Sequence, residues 1–292
     1  VFDKAFSLGV DIYRRDYNSF RYDTSDRDTT YKQATTGFQV RVGLPLTNEL
    51  TAIGRYTLNY DDVSLSKSQF YSIDPSGNLT CDPLRAGRYL CDAIGKRLSS
   101  IIGLSVIWDT LDNRMRPTNG ASVSLNLDVA GLGGDVKYAR LGANAARYWP
   151  LGKGFIFSLT AEGGAIKGLG QDVRLTDRFY LGEPQIRGFG IRGVGPRVIR
   201  QYYTQDTTTN AYTVESNDTD DALGGRYYYL GRAELEIPLG SGAREMGLRP
   251  SVFVNTGAVW SIKRPALITD CTPAKGGCFV GSRDADGKQL YY

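Results

Sequence analysis

The sequence predicts an all-β fold, an antiparallel transmembrane β-barrel with long loops at one rim. Nine stretches of the 292-residue chain alternate apolar and polar residues with period two, and the connections between them vary in length in a regular way. Tyrosine is common, with 19 residues, and its amphipathic ring suits a membrane interface. Strands with one apolar and one polar face are typical of a wall between lipid and water. A soluble, tyrosine-rich β-sandwich is the alternative that the same period allows.

The N-terminal half contains five alternating stretches, at residues 6–12, 38–44, 52–60, 102–108 and 121–129. The last stretch is the clearest, because its five apolar residues alternate with serine, asparagine and aspartate. Proline, asparagine and glycine residues predict tight turns after the second and fourth stretches. The polar segments 13–30 and 64–96 predict long connections after the first and third.

The C-terminal half adds four stretches, at residues 138–148, 155–161, 227–237 and 252–260. Arg147 interrupts the apolar face of the first of these. Short links follow the second, fourth, sixth and eighth stretches, long ones follow the first, third, seventh and ninth, and the fifth is intermediate. In an antiparallel meander this pattern places the long loops at one rim, as in outer-membrane barrels, where they are extracellular.

All four cysteines fall in predicted long loops. Cys81 and Cys91 share one loop, and Cys271 and Cys278 share another. An even number of cysteines in loops that face an oxidising compartment favours two local disulfides. Zinc is the alternative ligand, but the two spacings exceed those typical of zinc sites, and the chain has no histidine.

The residue types exclude much catalytic chemistry. Without histidine, catalysis by Ser-His-Asp or Cys-His groups is impossible. The acidic pairs at 61–62 and 220–221 fall in predicted polar loops, while Glu234 and Glu236 are expected to face the barrel interior beside Arg232. We therefore predict that the chain is not an enzyme and holds no metal.

Ligands other than lipid and protein are also disfavoured. The net charge of +4 is modest and the basic residues are scattered, so no nucleic acid is expected. Residues 188–193 match the dinucleotide pattern G-x-G-x-x-G, but they neither follow a buried strand nor open an amphipathic helix. We predict no cofactor and no small-molecule substrate.

The longest predicted loop, residues 167–223, contains a glycine-rich segment around one arginine and one phenylalanine. Its central motif is Ile186-Arg187-Gly188-Phe189-Gly190. A loop of this length must be disordered or fold onto another part of the protein. The glycines permit a turn, Phe189 can bury its ring, and Arg187 can bind a carboxylate inside the barrel.

This motif resembles the (V/I)RG(F/Y) signature of the BamA/TamA superfamily of outer-membrane assembly and secretion barrels. Residues 108–120, 233–238 and 253–260 also resemble segments of that family. The resemblance implies a sixteen-stranded barrel preceded by periplasmic domains. Residues 1–292 would then be a partial barrel domain with the fifth to thirteenth strands, lacking the periplasmic domains and the first and last strands.

The same resemblance implies a partner for the signature arginine and a function. Arg187 should reach Glu236 on the inner wall, and Asn255 replaces a second acid of the family. The family folds and inserts β-barrel proteins in the bacterial outer membrane, and its partners are membrane lipid, nascent barrel proteins and accessory lipoproteins. Because its working seam joins the first and last strands, this segment alone should lack insertase activity. A secretion pore of the same superfamily and a soluble adhesion domain are the alternatives.

Overall fold

The computed structural model describes residues 6–23, 26–73, 77–81, 91–205, 212–239 and 248–262. Its main strands are β1 (Ser7–Asp23), β2 (Asp26–Pro45), β3 (Leu50–Leu65), β6 (Gly95–Asp109), β7 (Gly120–Gly134), β8 (Tyr138–Gly152), β9 (Phe155–Gly168), β12 (Tyr227–Glu236) and β13 (Ser251–Trp260). The connections contain α1 (Lys67–Phe70), β4 (Tyr71–Ile73), β5 (Leu79–Cys81), the 3-10 turn η1 (Leu175–Asp177), β10 (Arg197–Gln205) and β11 (Tyr212–Ala222). Within these ranges no helix has the length and apolarity to cross a bilayer.

The nine main strands form one antiparallel sheet in the order β1-β2-β3-β6-β7-β8-β9-β12-β13. Each strand pairs with the next main strand of the chain, so the sheet is a meander. All nine predicted strands are therefore confirmed. The pairing also confirms the fold class, because the chain folds into strands that run far longer than an average strand of a soluble protein.

The sheet has an apolar face and a polar face, and each is defined below by the residues that it carries. The apolar face carries the exposed rows of Val10, Leu104, Leu125, Leu159 and Val254 with their neighbours. A β-sandwich core would seal such residues from solvent, but Leu125 is 49% exposed and Val254 is 70% exposed. The sandwich alternative is therefore wrong, since this surface meets a surrounding medium instead of a second sheet.

The polar face carries the paired charges and the buried polar groups of the sheet. Asp61, Arg97, Ser99, Ser105 and Thr57 are all less than a tenth exposed. They alternate along β3 and β6 with residues of the apolar face. This division of the two faces follows directly from the period of two in a pleated strand.

The sequence prediction was wrong about the connection over residues 13–30. Residues 13–23 belong to β1 and residues 26–30 belong to β2, and the two strands pair from Ser7 to Asp23. Asp61 and Asp62 likewise lie within β3, not in a polar loop. The alternation ended early because both faces become polar beyond the apolar band, and polarity on both faces removes the signal on which the prediction relies.

The two long excursions leave the sheet at the same rim. The segment between β3 and β6 contains α1, the short hairpin β4-β5, and a disulfide between Cys81 and Cys91. The segment between β9 and β12 contains η1 and the hairpin β10-β11, which the sequence did not predict. The disulfide confirms one predicted pair, whereas Cys271 and Cys278 lie outside the described residues.

Candidate functional site: a loop docked on the polar face

The segment from Leu181 to Val194, here called the signature loop, packs against the polar face of β12 and β13. Leu181 and Ile186 are 1% and 3% exposed and form one apolar cluster with Leu230 and Val259. The two ends of the loop are joined by an antiparallel bridge, in which the N–H of Val194 donates to the carbonyl of Leu181 at 3.0 Å. The loop is thus a closed unit seated on the wall.

Glycines allow the tight path of the signature loop. Gly188 has a φ of +87°, a conformation that a side chain disfavours. The carbonyl oxygen of Gly190 accepts the N–H of Gly193 at 2.8 Å, and a Cβ on Gly193 would meet that oxygen at 2.7 Å. Backbone therefore approaches backbone at Gly193, where only glycine fits, while Gly188 is favoured by its positive φ.

Phe189 does not bury its ring, contrary to the sequence prediction. It is 48% exposed, whereas Ile186 from the same motif is buried. The apolar anchor of the signature loop is therefore Ile186. The composition of the motif supplies two apolar candidates, and the turn at Gly188 between them directs one to the wall and leaves the other exposed.

Arg187 contacts the wall through Glu234 and Phe253, which are direct partners on β12 and β13. Its Nη1 donates to Oε1 of Glu234 at 3.4 Å, and its guanidinium carbon lies 4.4 Å from the ring centroid of Phe253. The predicted partner, Glu236, instead pairs with Arg249 at 3.7 Å. Both carboxylates face the same way two residues apart, so alternation alone could not decide which one the loop reaches.

Asn255 joins the signature loop through an intermediate arginine. Arg232 donates from Nε to Oδ1 of Asn255 at 3.0 Å and from Nη2 to the carbonyl oxygen of Gln185 at 2.6 Å. The amide thus accepts one hydrogen bond, as the sequence analysis allowed, but from Arg232 and not from Arg187. Two arginines therefore connect the signature loop to the wall: Arg187 extends from the loop to the wall, and Arg232 extends from the wall to the loop.

A second anchor lies earlier in the same excursion, at η1. Arg97 of β6 donates to both carboxylate oxygens of Asp177 at 2.9 and 3.1 Å, and its Nε lies 3.3 Å from Asp61. Thr35 donates to the other oxygen of Asp61 at 2.6 Å. Sequence reasoning missed this cluster, because it placed Asp61 in a loop and had no signal that paired Asp177 with a distant strand.

A third contact reaches the first strand of the sheet. The guanidinium of Arg192 lies 4.5 Å from the ring centroid of Tyr180 and 5.4 Å from that of Tyr17 on β1. Cation–π contacts of this kind contribute about 0.5–1 kcal/mol at exposed sites. The repeated Ile-Arg-Gly at 186–188 and 191–193 was the sequence signal that could have identified Arg192.

The disulfide-bonded excursion packs against the loop segment. Leu65, Phe70, Cys81, Cys91 and Leu175 belong to one apolar cluster. Leu175 begins η1, whose last residue is Asp177, the partner of Arg97. The two excursions at this rim therefore support each other beside the buried ion pairs.

The link between β6 and β7 is ordered by the carboxylate of Asp112. The Thr118 hydroxyl donates to it at 2.5 Å, and the backbone N–H groups of Asn119 and Thr118 donate at 3.1 and 2.9 Å. These hydrogen bonds lower the pKa of Asp112 from its ordinary 3.8 to about 2. This link belongs to the 108–120 segment on which the family resemblance partly rests.

The arrangement is suited to holding a loop against the wall. A cavity of 610 Å³ lies between Pro184 and Gln185 of the signature loop and wall residues that include Ser122, Asn144 and Thr160. In the part of the chain that the structure describes, no group of three or more cysteine, aspartate or glutamate side chains could hold a metal ion. Arg187 and Arg232 are engaged in contacts that hold the loop on the wall, with Glu234 and with the carbonyl oxygen of Gln185.

Known proteins resemble the chain along most of its length. BamA from Neorickettsia risticii, named an outer membrane protein assembly factor, is 26% identical over 264 residues, which are 90% of this chain and 30% of that protein. BamA from Neisseria meningitidis serogroup B is 24% identical over 272 residues, 88% of this chain and 30% of that protein. The Bos taurus homolog of sorting and assembly machinery component 50 is 29% identical over 170 residues, 56% of this chain and 32% of that protein. The chain spans about a third of the length of these relatives.

A solved structure and a family domain agree with this likeness. The crystal structure of BamA from Haemophilus ducreyi lacking POTRA domains 1–3 superposes with a TM-score of 0.63 at 22% identity, over 88% of this chain and 47% of that one. This likeness shows the shared barrel fold. The Omp85 superfamily domain matches residues 1–272. The chain therefore belongs to the Omp85 superfamily, of which it is a BamA-like member.

Proposed function

We propose that this chain is the barrel portion of an outer-membrane assembly factor that folds and inserts β-barrel proteins. Two of the relatives named above are outer membrane protein assembly factors by name, and the Omp85 superfamily domain covers most of the chain. The carrying observation is the signature loop, which lies on the polar face and is tied to the wall through Arg187 and Glu234. A loop held in this way would fix the wall at β12 and β13, and strand addition would use a different part of the barrel, the pairing seam that the family resemblance implies.

The proposed location is the bacterial outer membrane, with nascent barrel proteins and accessory lipoproteins as partners. Two relatives are bacterial, while the sorting and assembly component comes from an animal. An even number of cysteines and a loop disulfide suit an oxidising compartment such as the periplasm or the cell surface. The chain contributes no catalytic group in this proposal, because strand addition is driven by pairing backbone groups that are costly to leave open in lipid.

Replacing Arg187 by Ala in the full-length protein tests this role. The side chain is 43% exposed, so solvent screening limits the ion pair to about 1 kcal/mol or less. Loss of the Phe253 contact adds a similar amount. We expect the variant to unfold at a lower temperature, as measured by the shift in its migration on gels after heating. We also expect slower insertion of a barrel client into vesicles.

Arg249→Ala is the matched control, because Arg249 pairs with Glu236 on the same face. Among the residues that the structure describes, Arg249 forms no ion pair with the signature loop. Client insertion by that variant should match wild type. Unchanged client insertion by Arg187→Ala, although the loop has lost its protection from exchange, would refute the role of the loop. High single-channel conductance of the wild type without client insertion would favour a secretion pore.

A further inference from the structure

Arg147 is a cation on the apolar face of the sheet. Its partner across one side of β8 is Ala121, and its partner across the other side is Leu159. Its nearest neighbours on the same face of β8 are Ala145 and Trp149. The Arg147 side chain is exposed, and all four of these neighbours are apolar. A charge is therefore placed on the surface that the fold turns toward lipid.

This cation has no carboxylate partner on its own surface. Within the residues described, no acidic side chain forms an ion pair with Arg147. Its defined contact is with Trp149, whose ring centroid lies 5.6 Å from the guanidinium carbon. Trp149 in turn stacks on Phe157 with centroids 5.6 Å apart. In contrast Arg14, which faces the same side on β1, pairs with Asp16 at 3.5 Å.

The position of Arg147 along the strand places it at the edge of the apolar band. Trp108 marks that edge, because its indole N–H donates to Glu49 in the link between β2 and β3 at 3.2 Å. Trp108 is in the row of Val123 and Ala145, and Arg147 is one step nearer the turns. From Arg147 to Gly152 the strand runs about 17 Å, which is roughly 12 Å along the membrane normal at the usual tilt.

Such a position favours an anion from outside the chain as the partner of Arg147. An arginine at the middle of a barrel wall costs about 2–4 kcal/mol, and this cost falls to about 0–1 kcal/mol near the interface. The long side chain can extend toward the turns and reach the headgroup layer. There a phosphate is the anion at hand, and a guanidinium binds phosphate with two parallel hydrogen bonds.

We propose that Arg147 binds the phosphodiester of a glycerophospholipid headgroup in the leaflet at the rim of the short turns. Trp149 and Phe157 form the apolar floor beside it, against which the glycerol and upper acyl chain would pack. The site is an annular lipid site on the outer wall. It does not depend on the assembly function proposed above, because it uses neither the signature loop nor a strand edge.

Binding of phosphatidylglycerol to the delipidated full-length protein tests the site, with bound lipids counted by native mass spectrometry. Arg147→Gln should weaken the tightest lipid-binding step roughly tenfold, since charge-assisted hydrogen bonds are lost. Arg147→Lys keeps the positive charge but cannot form the two parallel hydrogen bonds of a guanidinium, so it should give an intermediate affinity. Arg14→Gln is the control and should bind like wild type.

Two further arms identify the source of the phosphate. Diacylglycerol, which has no phosphate, should bind equally to wild type and Arg147→Gln. Inorganic phosphate at millimolar concentration should fail to displace phosphatidylglycerol, because it gains nothing from the apolar floor. Equal lipid affinity of wild type and both Arg147 variants would overturn the proposal, and so would displacement of the lipid by inorganic phosphate.

Discussion

Arg97 on β6 binds both carboxylate oxygens of Asp177, a residue 80 positions later in the chain. The Arg97 side chain is only 4% exposed, and it also contacts Asp61. This cluster fixes η1, and with it the start of the signature loop excursion, against the middle of the sheet. The position of the loop is thus set at both ends, by buried charges here and by Arg187 and Ile186 further along.

Arg97→Met should destabilise the protein by about 3–5 kcal/mol, because removing the arginine leaves two buried carboxylates without their counter-charge. Urea unfolding of the full-length protein in lipid vesicles, followed by tryptophan fluorescence, measures this loss. The matched control is Arg114→Gln, since Arg114 pairs with Asp109 but is 81% exposed and should contribute about 1 kcal/mol or less. Equal losses for the two variants would contradict a special role of burial.

Glu234→Gln and Glu236→Gln separate the observed partner of Arg187 from the one that the sequence predicted. The first substitution removes the charge that Arg187 contacts at 3.4 Å, while the second affects a pair with Arg249. We expect faster amide hydrogen exchange over residues 181–194 in Glu234→Gln only, with a stability loss of about 1 kcal/mol or less. Faster exchange in Glu236→Gln alone would show that Arg187 of the loop contacts Glu236 and not Glu234.

The sequence was sufficient to locate the nine main strands and insufficient for the contacts between the loop and the wall. A period of two is a local property, so the rows that contain Leu125 and Val254 could be identified without any knowledge of their neighbours. The same rule located Glu234 and Glu236 on one face. It could not choose between them, because that choice depends on how deep the loop packs, which Leu181 and Ile186 decide through the cluster with Leu230.

Beyond the apolar band the local signal disappears. β1 continues well beyond Ile12, and β2 begins well before the predicted second stretch at residue 38. In these extensions both faces of the strands carry polar residues. The hairpin β10-β11 was missed for a similar reason, since its strands are rich in tyrosine, threonine and aspartate. In these regions the strand conformation depends on backbone pairing with a neighbouring strand. The residues of one strand alone do not reveal that pairing.

Loss of the Cys81–Cys91 disulfide should loosen both excursions at the rim. The bond closes a segment with a sequence separation of 10, and closing a loop of that size contributes about 3 kcal/mol in the chain-entropy account. A Cys81→Ala/Cys91→Ala variant should be cleaved sooner by protease within residues 66–94, and exchange should rise around Leu175, which shares the apolar cluster. Protection at Leu175 that is unchanged would show that the two excursions are independent.

Arg192 should connect the signature loop to β1 through the rings of Tyr17 and Tyr180. Arg192→Ala removes both contacts, so we expect a loss of about 1–2 kcal/mol and faster exchange over residues 181–194. Arg192→Lys keeps the charge but loses the planar stacking surface, and should recover only part of the loss. A Tyr17→Leu variant with Arg192→Ala completes a double-mutant cycle, in which additive effects would refute a direct contact across the interior.

The link between β6 and β7 should respond to acid through Asp112. Its pKa is lowered to about 2 by the Thr118 hydroxyl and the backbone N–H groups of Asn119 and Thr118. Because the folded pKa lies below the ordinary value of 3.8, the ionised carboxylate stabilises the fold above about pH 4. This contribution disappears as the pH falls through about 2, where the carboxylate binds its proton.

The difference in melting temperature between wild type and Asp112→Asn should therefore be constant above about pH 4, shrink as the pH falls, and vanish below about pH 2. Thr118→Val removes the largest cause of the lowered pKa, so in that background the loss should still begin near pH 4 but should be complete at a higher pH. The melting temperature of each variant, measured by heat-modified migration from about pH 1 to about pH 7, gives both curves. A wild-type advantage that persists undiminished below pH 2 would mean that Asp112 stabilises the turn by its shape and not by its charge.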